Sequence, residues 1–330
     1  MIQLKPSFLS IFFIVLLSAC SKPGFTYEFY VFGTLVELEI YSNSKEQADS
    51  ASTQIQKSFN TLHKIWHAWE QGGLLSKINS AIAAGQSIKL EPQVLEFLQT
   101  IKNLSLKSEG YFNPGIGRLV ALWGFHADTW RGPPPSYQEI RRFIEPAITM
   151  QSIKFKYNEL VTEDKRIALD FGGVVKGYAL ALAGKILKEQ GIKNAAVNAG
   201  GDLLVFGKKN SKLWNVGIKS PGGVIGTVKL EDGESIVSSG NYERKFTWQG
   251  KLYHHLINPF TGQPARGVSA VTVIAKDPML ADAAATALLA AGIQNWRRIA
   301  KNFGLKYVLL LGDDESLHMS LEMQSRIKLK

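Results

Sequence analysis

The stretch of residues 169–204, LDFGGVVKGYALALAGKILKEQGIKNAAVNAGGDLL, constrains the fold more than any other part of the chain. Its pattern predicts a strand, a glycine turn, a helix, a second strand and a second glycine turn. The first strand is the apolar run 167–169, and the helix begins near Val174 with apolar residues at helical spacing. Gly191 stands where a glycine commonly ends a helix, and residues 195–197 read as a short buried strand.

The glycines ahead of this helix are typical of an anion site. Gly172 and Gly173 allow a tight turn, and the free N–H groups of a helix N-terminus attract anions. Lys176 lies in the first helical turn, where a cation opposes the helix dipole, so we interpret it as a contact for an anionic ligand. An ordinary strand–helix–strand unit explains the same glycines equally well, because isolated glycine patterns are weak signals.

Length and composition place the chain among globular proteins. Its 330 residues suffice for one large domain or two modest ones, and 45% of them are hydrophobic. The net charge of +10 is compatible with anionic ligands or membrane headgroups. No run of lysine and arginine stands out, so we expect no nucleic-acid partner.

The N-terminal residues 1–20 predict a bacterial lipoprotein signal. Lys5 precedes an apolar core too short to span a bilayer, and this core leads into Leu-Ser-Ala-Cys, the pattern of a lipobox. Cys20 is the only cysteine, so no intramolecular disulfide is possible, and lipidation explains it. We expect residues 1–19 to be a signal peptide and residues 20–25 a tether, with the protein lipid-anchored in the cell envelope and facing the periplasm. A plain cleaved signal with a chance cysteine is the alternative.

The region before the central stretch is predicted to form a β-hairpin and several helices. Residues 27–40 alternate around a glycine, and residues 44–66 have the apolar stripe of an amphipathic helix. His63 and His67 have a spacing that can bind a metal, but we expect no acidic or thiol partner nearby. We therefore interpret both as solvated or packed. Residues 110–125 are rich in glycine and aromatics, which fits either a turn with a packed helix or the aromatic wall of a ligand pocket.

The region after the central stretch is mostly strand. Short β candidates are separated by glycines, and Gln249-Gly250 is a hairpin signal between two of them. The candidates are residues 214–219, 224–230, 235–237, 243–248, 251–257 and 268–275.

A late helix carries a second chemical signal. Asp277-Pro278 is a favourable N-cap and first position, and the helix behind it is almost entirely small or apolar. Asp282 and Thr286 are the exceptions, and they share one helix face. A buried carboxylate is unfavourable unless it is paired or metal-bound, and oxygen ligands suit magnesium. The alternative is an aspartate at a solvent-facing edge, with the threonine bonded back to its own helix.

Several motifs follow one another in a fixed order over nearly the whole chain after the signal. The central motif is Asp170-x-x-Gly173-x-x-Lys176-Gly177-Tyr178. The others are Phe32-Gly33-Thr34, Trp69 with Ser76-Lys77-Ile78-Asn79, Gly110-Tyr111-Phe112-Asn113-Pro114, Leu122-Trp123-Gly124-Phe125, Asn198-x-Gly200-Gly201-Asp202, Ser238-Ser239-Gly240-Asn241-Tyr242, His255-Leu256-Ile257-Asn258-Pro259 with Thr261-Gly262, and Ala281-Asp282-x-x-x-Thr286-Ala287. In this order, the motifs resemble those of the ApbE-type FAD:protein FMN transferases.

The resemblance implies an α+β fold, namely a single ApbE-like (T-fold-like) domain over residues 26–330 with antiparallel sheets and packed helices. The strand-rich second half agrees with this. The first half alone would predict a nucleotide-binding α/β protein, and we follow the resemblance.

The resemblance also implies a set of ligand contacts. Magnesium is expected on Gly173, through its carbonyl, and on Asp282 and Thr286. The residues expected to contact FAD are Phe32, Trp69, Trp123, Gly124, Phe125, Asp170, Lys176 and Leu256. The chain departs from the common family residues at Phe32, which replaces methionine, and at Asn113 and Asn258, which replace aspartate.

The implied function is the magnesium-dependent transfer of FMN from FAD to a threonine hydroxyl of an acceptor protein, with release of AMP. His255 is the expected general base because histidine titrates near neutral pH, and His254 is the fallback. Lys176 and Asp282 are the other expected catalytic residues. An FAD pyrophosphatase that forms FMN and AMP is one alternative, and a flavin-binding lipoprotein without turnover is another.

Overall fold

An eight-stranded antiparallel sheet forms the centre of the computed structural model, which describes residues 23–127, 129 and 133–330. The strands of the chain are β1 (Gly24–Val31), β2 (Thr34–Tyr41), β3 (Ile88–Lys89), β4 (Lys154–Lys156), β5 (Glu159–Val161), β6 (Asn194–Ala199), β7 (Asp202–Phe206), β8 (Trp214–Ser220), β9 (Gly223–Leu230), β10 (Ser235–Gly240), β11 (Lys245–Trp248), β12 (Lys251–His254), β13 (Val268–Ala275), β14 (Tyr307–Gly312), β15 (Leu317–Met319) and β16 (Lys328–Leu329). The central sheet has the strand order β1-β2-β6-β7-β10-β13-β14-β15, and every neighbouring pair in it is antiparallel.

Helices cover one face of this sheet, and a smaller sheet packs on the other. The helices are α1 (Lys45–Trp66), α2 (Leu74–Ala84), α3 (Pro92–Lys107), α4 (Gly117–Leu122), α5 (Tyr137–Ile144), α6 (Val175–Glu189), α7 (Pro278–Phe303) and α8 (Leu321–Arg326), with a short 3₁₀ helix at Met150–Ser152. The larger core lies under α1, α6 and α7, whereas the smaller core joins the opposite sheet face to β8, β9 and α8. Alternation along the strands explains the two cores: on β6, Val197 belongs to the larger core and Ala196 to the smaller.

The α+β fold is the one expected, and most of the elements lie where periodicity predicts them. The β1–β2 hairpin, α1, β6, β13 and the β11–β12 hairpin around Gln249-Gly250 are all present. The Ser44 hydroxyl caps α1 by accepting a hydrogen bond from the Gln47 N–H at 3.1 Å. The first strand begins two residues before the expected domain boundary, because Gly24 already pairs with Tyr41. The sequence reasoning missed β14, β15 and the C-terminal elements.

The predicted strand over residues 167–169 is wrong. Ala168 makes only an isolated bridge to Ile116. The Leu169 N–H donates to Oδ1 of Asn79 at 2.7 Å, and Nδ2 of Asn79 donates to the Leu169 carbonyl at 2.9 Å. The backbone of this run is therefore hydrogen-bonded to loops and to a side chain, and no neighbouring strand extends it. The helix itself does follow, with α6 starting at Val175 and ending before Gly191, whose φ is +68°.

Helices α6 and α7 approach each other closely at Gly177. A β-carbon at this position would lie 2.3 Å from the Pro278 carbonyl oxygen and 2.8 Å from the Cα of Met279. The Gly177 N–H donates to Oδ2 of Asp282 at 2.9 Å, so a hydrogen bond as well as packing joins the two helices. Only glycine permits this separation, and it places the first turn of α6 against the carboxylate of α7.

Within the described residues, we find no helix with the length and apolarity needed to cross a bilayer. The predicted signal peptide, residues 1–19, and the predicted lipidation site, Cys20, lie outside the described residues.

Candidate active site

A cavity of about 1130 Å³ opens beside the N-termini of α6 and α7; we call it the central cavity. Its walls also include the β1–β2 turn, the end of α1, the aromatic segment after α3, and the chain on both sides of the β11–β12 hairpin. Most of the residues expected from the sequence line it: Phe32, Trp69, Phe125, Asp170, Gly173, Lys176, His255, Leu256, Asp282 and Thr286.

The three residues expected to bind magnesium, Gly173, Asp282 and Thr286, all line the central cavity. A β-carbon on Gly173 would lie 2.8 Å from Oγ1 of Thr286, so backbone and hydroxyl are in close contact. Asp282 lies one turn earlier on α7 and is only 3% exposed. Among the described residues, neither Oδ1 of Asp282 nor the Thr286 hydroxyl has a hydrogen-bond partner. The alternative of a solvent-facing aspartate with a threonine bonded back to its helix is therefore wrong.

Burial dominates the electrostatics of Asp282. Desolvation raises the pKa of its carboxyl to about 7, and the nearby carboxylate of Asp202 adds to the increase. The Lys176 charge and the Gly177 N–H act in the opposite direction. A carboxyl in this position gains from an additional cation, because a cation would offset the lost hydration.

Lys176 lines the central cavity and forms an ion pair with Asp202, which is 1% exposed. Burial alone would favour the neutral amine, but Asp202 and then Asp282 outweigh it and raise the pKa of Lys176. The other oxygen of Asp202 accepts the Ser238 N–H at 3.1 Å. The position of the Lys176 cation therefore depends on Asp202, the first residue of β7. The sequence did not identify this ion-pair partner.

His255 lines the central cavity as a neutral imidazole. Burial first, and the charge of Arg244 second, lower its pKa to about 4. Its Nδ1 lies 3.3 Å from the Arg244 carbonyl oxygen. Because a carbonyl only accepts, Nδ1 carries the proton and Nε2 keeps a free lone pair. The ring is therefore unprotonated at neutral pH with an open lone pair on Nε2, and it does not titrate there as the sequence led us to expect.

The prediction that His254 is the alternative general base is wrong. Its side chain lies outside the walls of the central cavity and is 5% exposed. Nε2 donates to the Ala265 carbonyl at 2.7 Å, and Nδ1 is buried without a hydrogen-bond partner in the described structure. His254 is the last residue of β12, whereas His255 lies in the bend that follows it, and only His255 reaches the cavity.

Aromatic side chains form much of the remaining wall. Phe32 has a φ of +56° at the β1–β2 turn, and its ring lies 5.7 Å from that of Phe59. Trp69 lies 5.5 Å from His126, and Phe125 lies 5.4 Å from Phe246 (centroid distances). Phe125 lines the cavity, which favours the ligand-wall interpretation of the aromatic segment.

Trp123 and Gly124 do not line the central cavity. The burial of Trp123 contradicts its expected FAD contact, whereas the FAD contact of Gly124 stays a prediction. Trp123 is 1% exposed, and its indole N–H donates to the Gly262 carbonyl at 2.7 Å. Gly124 has a φ of +82°, a turn that only glycine adopts readily and that carries the chain from the buried Trp123 to Phe125 on the wall. Trp123 therefore supports the wall from behind.

The two asparagines that replace common aspartates have structural roles. The Asn113 amide N–H₂ donates to the Ile148 carbonyl at 2.8 Å, and that of Asn258 donates to the Ala290 carbonyl at 3.0 Å. Their oxygens accept backbone N–H groups of the turns that follow. An amide satisfies both bonds, whereas an ionised carboxylate can only accept.

His63 and His67 have an acidic neighbour after all. Their ligand atoms and those of Glu70 lie within 4.8 Å of one another at the cavity wall. However, Nδ1 of His67 accepts the backbone N–H groups of Glu70 at 3.0 Å and Trp69 at 3.3 Å. The neutral ring of His67 therefore carries its proton on Nε2 and offers no free lone pair to a metal. Packed histidines remain our interpretation.

Three charged residues of the site were not identified from the sequence: Asp202, Glu243 and Arg244. Asp202 was visible as part of a motif, but nothing in the sequence pairs it with Lys176. Glu243 is exposed to the central cavity, yet the surrounding protein limits its hydration and raises its pKa. Glu243 and Arg244 follow directly after the Ser-Ser-Gly-Asn-Tyr motif, which was the available signal.

The sequence profile of the ApbE family matches residues 32–309. An FAD:protein FMN transferase from Rhodobacter capsulatus is 40% identical over 311 residues, which are 93% of this chain and 59% of that protein, so the chain spans less than two thirds of that relative's length. A protein of the same name from Chlamydia pneumoniae is 31% identical over 297 residues, 84% of this chain and 90% of that protein.

Solved structures agree with the sequence relatives. The crystal structure of the ApbE protein from Thermotoga maritima superposes with a TM-score of 0.84 at 27% sequence identity, covering 92% of this chain and 99% of that one. The expected α+β ApbE-like fold is therefore confirmed. With the profile match over most of its length, this chain belongs to the ApbE family.

Proposed function

We propose that this protein transfers FMN from FAD to a threonine hydroxyl of an acceptor protein, with release of AMP and with magnesium bound at the site. The proposal rests on one observation, namely that three kinds of functional group line the same cavity. A histidine with a free Nε2, a fixed lysine cation and a buried oxygen-ligand group face the same space. The names of the sequence relatives support the same reaction.

The proposed magnesium ligands fit a hard cation. Asp282 offers a desolvated carboxylate with one uncommitted oxygen, and Thr286 offers its hydroxyl. Gly173, which packs against Thr286, would contribute its carbonyl. Few protein ligands are needed, because magnesium fills its shell with phosphate and water. Bound there, magnesium would neutralise charge on the diphosphate of FAD.

The central cavity also suits FAD. Its volume of about 1130 Å³ is that of a large ligand site, and flat aromatic faces from Phe32, Trp69 and Phe125 suit a flavin or adenine ring. Lys176 supplies positive charge beside the metal ligands, where a diphosphate would lie. The flavin ring and the diphosphate thus have separate surfaces in one cavity.

The transfer step balances with the groups present. The acceptor hydroxyl oxygen forms a bond to the FMN phosphorus, and the bond from that phosphorus to the bridging oxygen breaks. AMP leaves with the bridging oxygen, while Nε2 of His255 takes the hydroxyl proton. Lys176 stabilises the phosphate charge, and binding holds the two substrates in line.

The test is a reaction of the protein with FAD, magnesium and an acceptor protein that presents an exposed threonine. Transfer gives an acceptor heavier by one FMN moiety, flavin fluorescence that survives denaturation, and AMP in equal amount. Replacement of the acceptor threonine by alanine should abolish labelling. Release of free FMN and AMP without acceptor would instead identify a pyrophosphatase, and FAD retention without AMP release a flavin-binding protein.

The metal requirement is tested on one helix. Asp282→Asn keeps an acceptor for the Gly177 N–H but removes the charge, so transfer should fall to background, as it should reversibly with EDTA. Asp277→Asn is the matched control, because asparagine caps α7 as well as aspartate does. Undiminished transfer by Asp282→Asn, or in EDTA, would contradict the magnesium assignment.

The base assignment makes a pH prediction. A depressed pKa means that His255 stays unprotonated until the pH approaches 4, so its ring should titrate by NMR near 4 in the free protein. His255→Ala should lower the transfer rate by roughly 10²–10⁴-fold, the usual effect of losing a general base. A ring midpoint between 6 and 7, or an unchanged rate for the variant, would overturn this part of the mechanism.

We also propose that the protein is anchored through a lipidated Cys20 and faces the periplasm. The lipobox pattern and the single cysteine support this. Wild-type protein should fractionate with membranes and carry an acylated N-terminus by mass spectrometry, whereas Cys20→Ser should be released into the soluble fraction. An unmodified, soluble wild-type protein would contradict the proposal.

A further inference from the structure

Arg244 has no assigned role in the reaction described above, yet it lies on the wall of the central cavity. Among the described residues, Lys176 and Arg244 are the only lysine or arginine side chains on that wall. Lys176 is already paired with the buried Asp202, whereas no carboxylate in the described part of the chain forms an ion pair with Arg244. Arg244 is therefore the cation of the cavity wall that is available to bind an anionic ligand.

Arg244 is exposed, and one hydrogen bond of its guanidinium and two contacts of its main-chain carbonyl relate it to its neighbours. Nη2 donates to the carbonyl oxygen of Phe125, which leaves most of its five N–H donors uncommitted. Its main-chain carbonyl accepts from the backbone N–H of His255 at 3.0 Å and lies 3.3 Å from Nδ1 of the same residue. Arg244 thus lies between the aromatic wall at Phe125 and the base.

Electrostatics agree with this placement. After burial, the charge of Arg244 is the next largest cause of the low pKa of His255. Burial raises the pKa of Asp170, and the charge of Arg244 partly opposes that increase. The guanidinium therefore acts on both Asp170 and His255 from the cavity wall.

We propose that Arg244 binds the FMN phosphate of FAD, the phosphate that the acceptor hydroxyl attacks. This inference rests on the proposed function. The attacked phosphorus must lie within reach of the hydroxyl activated by His255, and Arg244 is adjacent to that residue. A guanidinium binds phosphate oxygens with two parallel hydrogen bonds, which an ammonium cannot do. Arg244 and Lys176 then neutralise the diphosphate from two directions.

Equilibrium binding tests the proposal without requiring turnover. FAD, FMN and riboflavin are titrated by flavin fluorescence in the presence of EDTA, and AMP is measured by competition against FAD. Arg244→Met should weaken FAD and FMN by about 10- to 100-fold, the usual effect of losing a hydrogen bond to a charged group. Riboflavin, which lacks the phosphate, and AMP, which lacks the FMN phosphate, should bind as they do to the wild type. Arg244→Lys should fall between Arg244→Met and the wild type.

Lys245→Met is the matched control, because Lys245 is the next residue, is exposed and lies outside the cavity wall. It should leave all four affinities unchanged. If Arg244→Met weakened the binding of riboflavin as much as that of FAD, Arg244 would only support the Phe125 wall. Weaker binding of AMP would show that Arg244 contacts the AMP phosphate of FAD instead. Either result, or unchanged FAD affinity, overturns the inference. A wild-type protein that binds no FAD would overturn the proposed function itself.

Discussion

The rest of the site depends on the contact between α6 and α7 at Gly177. The missing side chain lets the two helices approach until the Gly177 N–H reaches the carboxylate of Asp282. This hydrogen bond fixes one oxygen of the carboxylate and leaves the other uncommitted. It also aligns the first turn of α6, so that Lys176 lies beside Asp282 and Gly173 against Thr286. One backbone contact thereby assembles the cation and all three proposed metal ligands.

The charged groups that this contact brings together are costly to bury singly, and they compensate one another. Asp202 and Lys176 form an ion pair, while Asp282 and Glu243 both have raised pKa values because of lost hydration. Such a cluster contributes little to stability compared with apolar packing of the same volume. It is better suited to accept a cation and a diphosphate, because both ligands relieve its unbalanced charges. Strongly perturbed carboxyl groups in a cavity are a usual feature of active sites.

The sequence predicted those features that depend on local periodicity or on motif order. The β1–β2 hairpin, α1, α6 and the Asp282–Thr286 face all lie where the patterns place them. Pairing across distance was not predictable: nothing in the sequence joins Lys176 to Asp202. A motif also does not distinguish a side chain that packs in the core from one that contacts the ligand. Trp123 was therefore expected to contact FAD, although it is buried. Likewise, the sequence supplies only the ordinary pKa of His255, whereas burial and the charge of Arg244 lower that pKa in the folded protein.

The most direct test of the α6–α7 contact is the rate of FMN transfer by folded Gly177→Ala protein. Alanine must force the helices apart, because its β-carbon would lie 2.3 Å from the Pro278 carbonyl oxygen. Displacement of catalytic groups by about 1 Å can lower a rate by about 10²-fold, and we predict a loss of at least that order. Gly222→Ala is the control, since a β-carbon there meets no atom within 4 Å. A folded Gly177→Ala protein that transfers FMN at the Gly222→Ala rate would contradict the account.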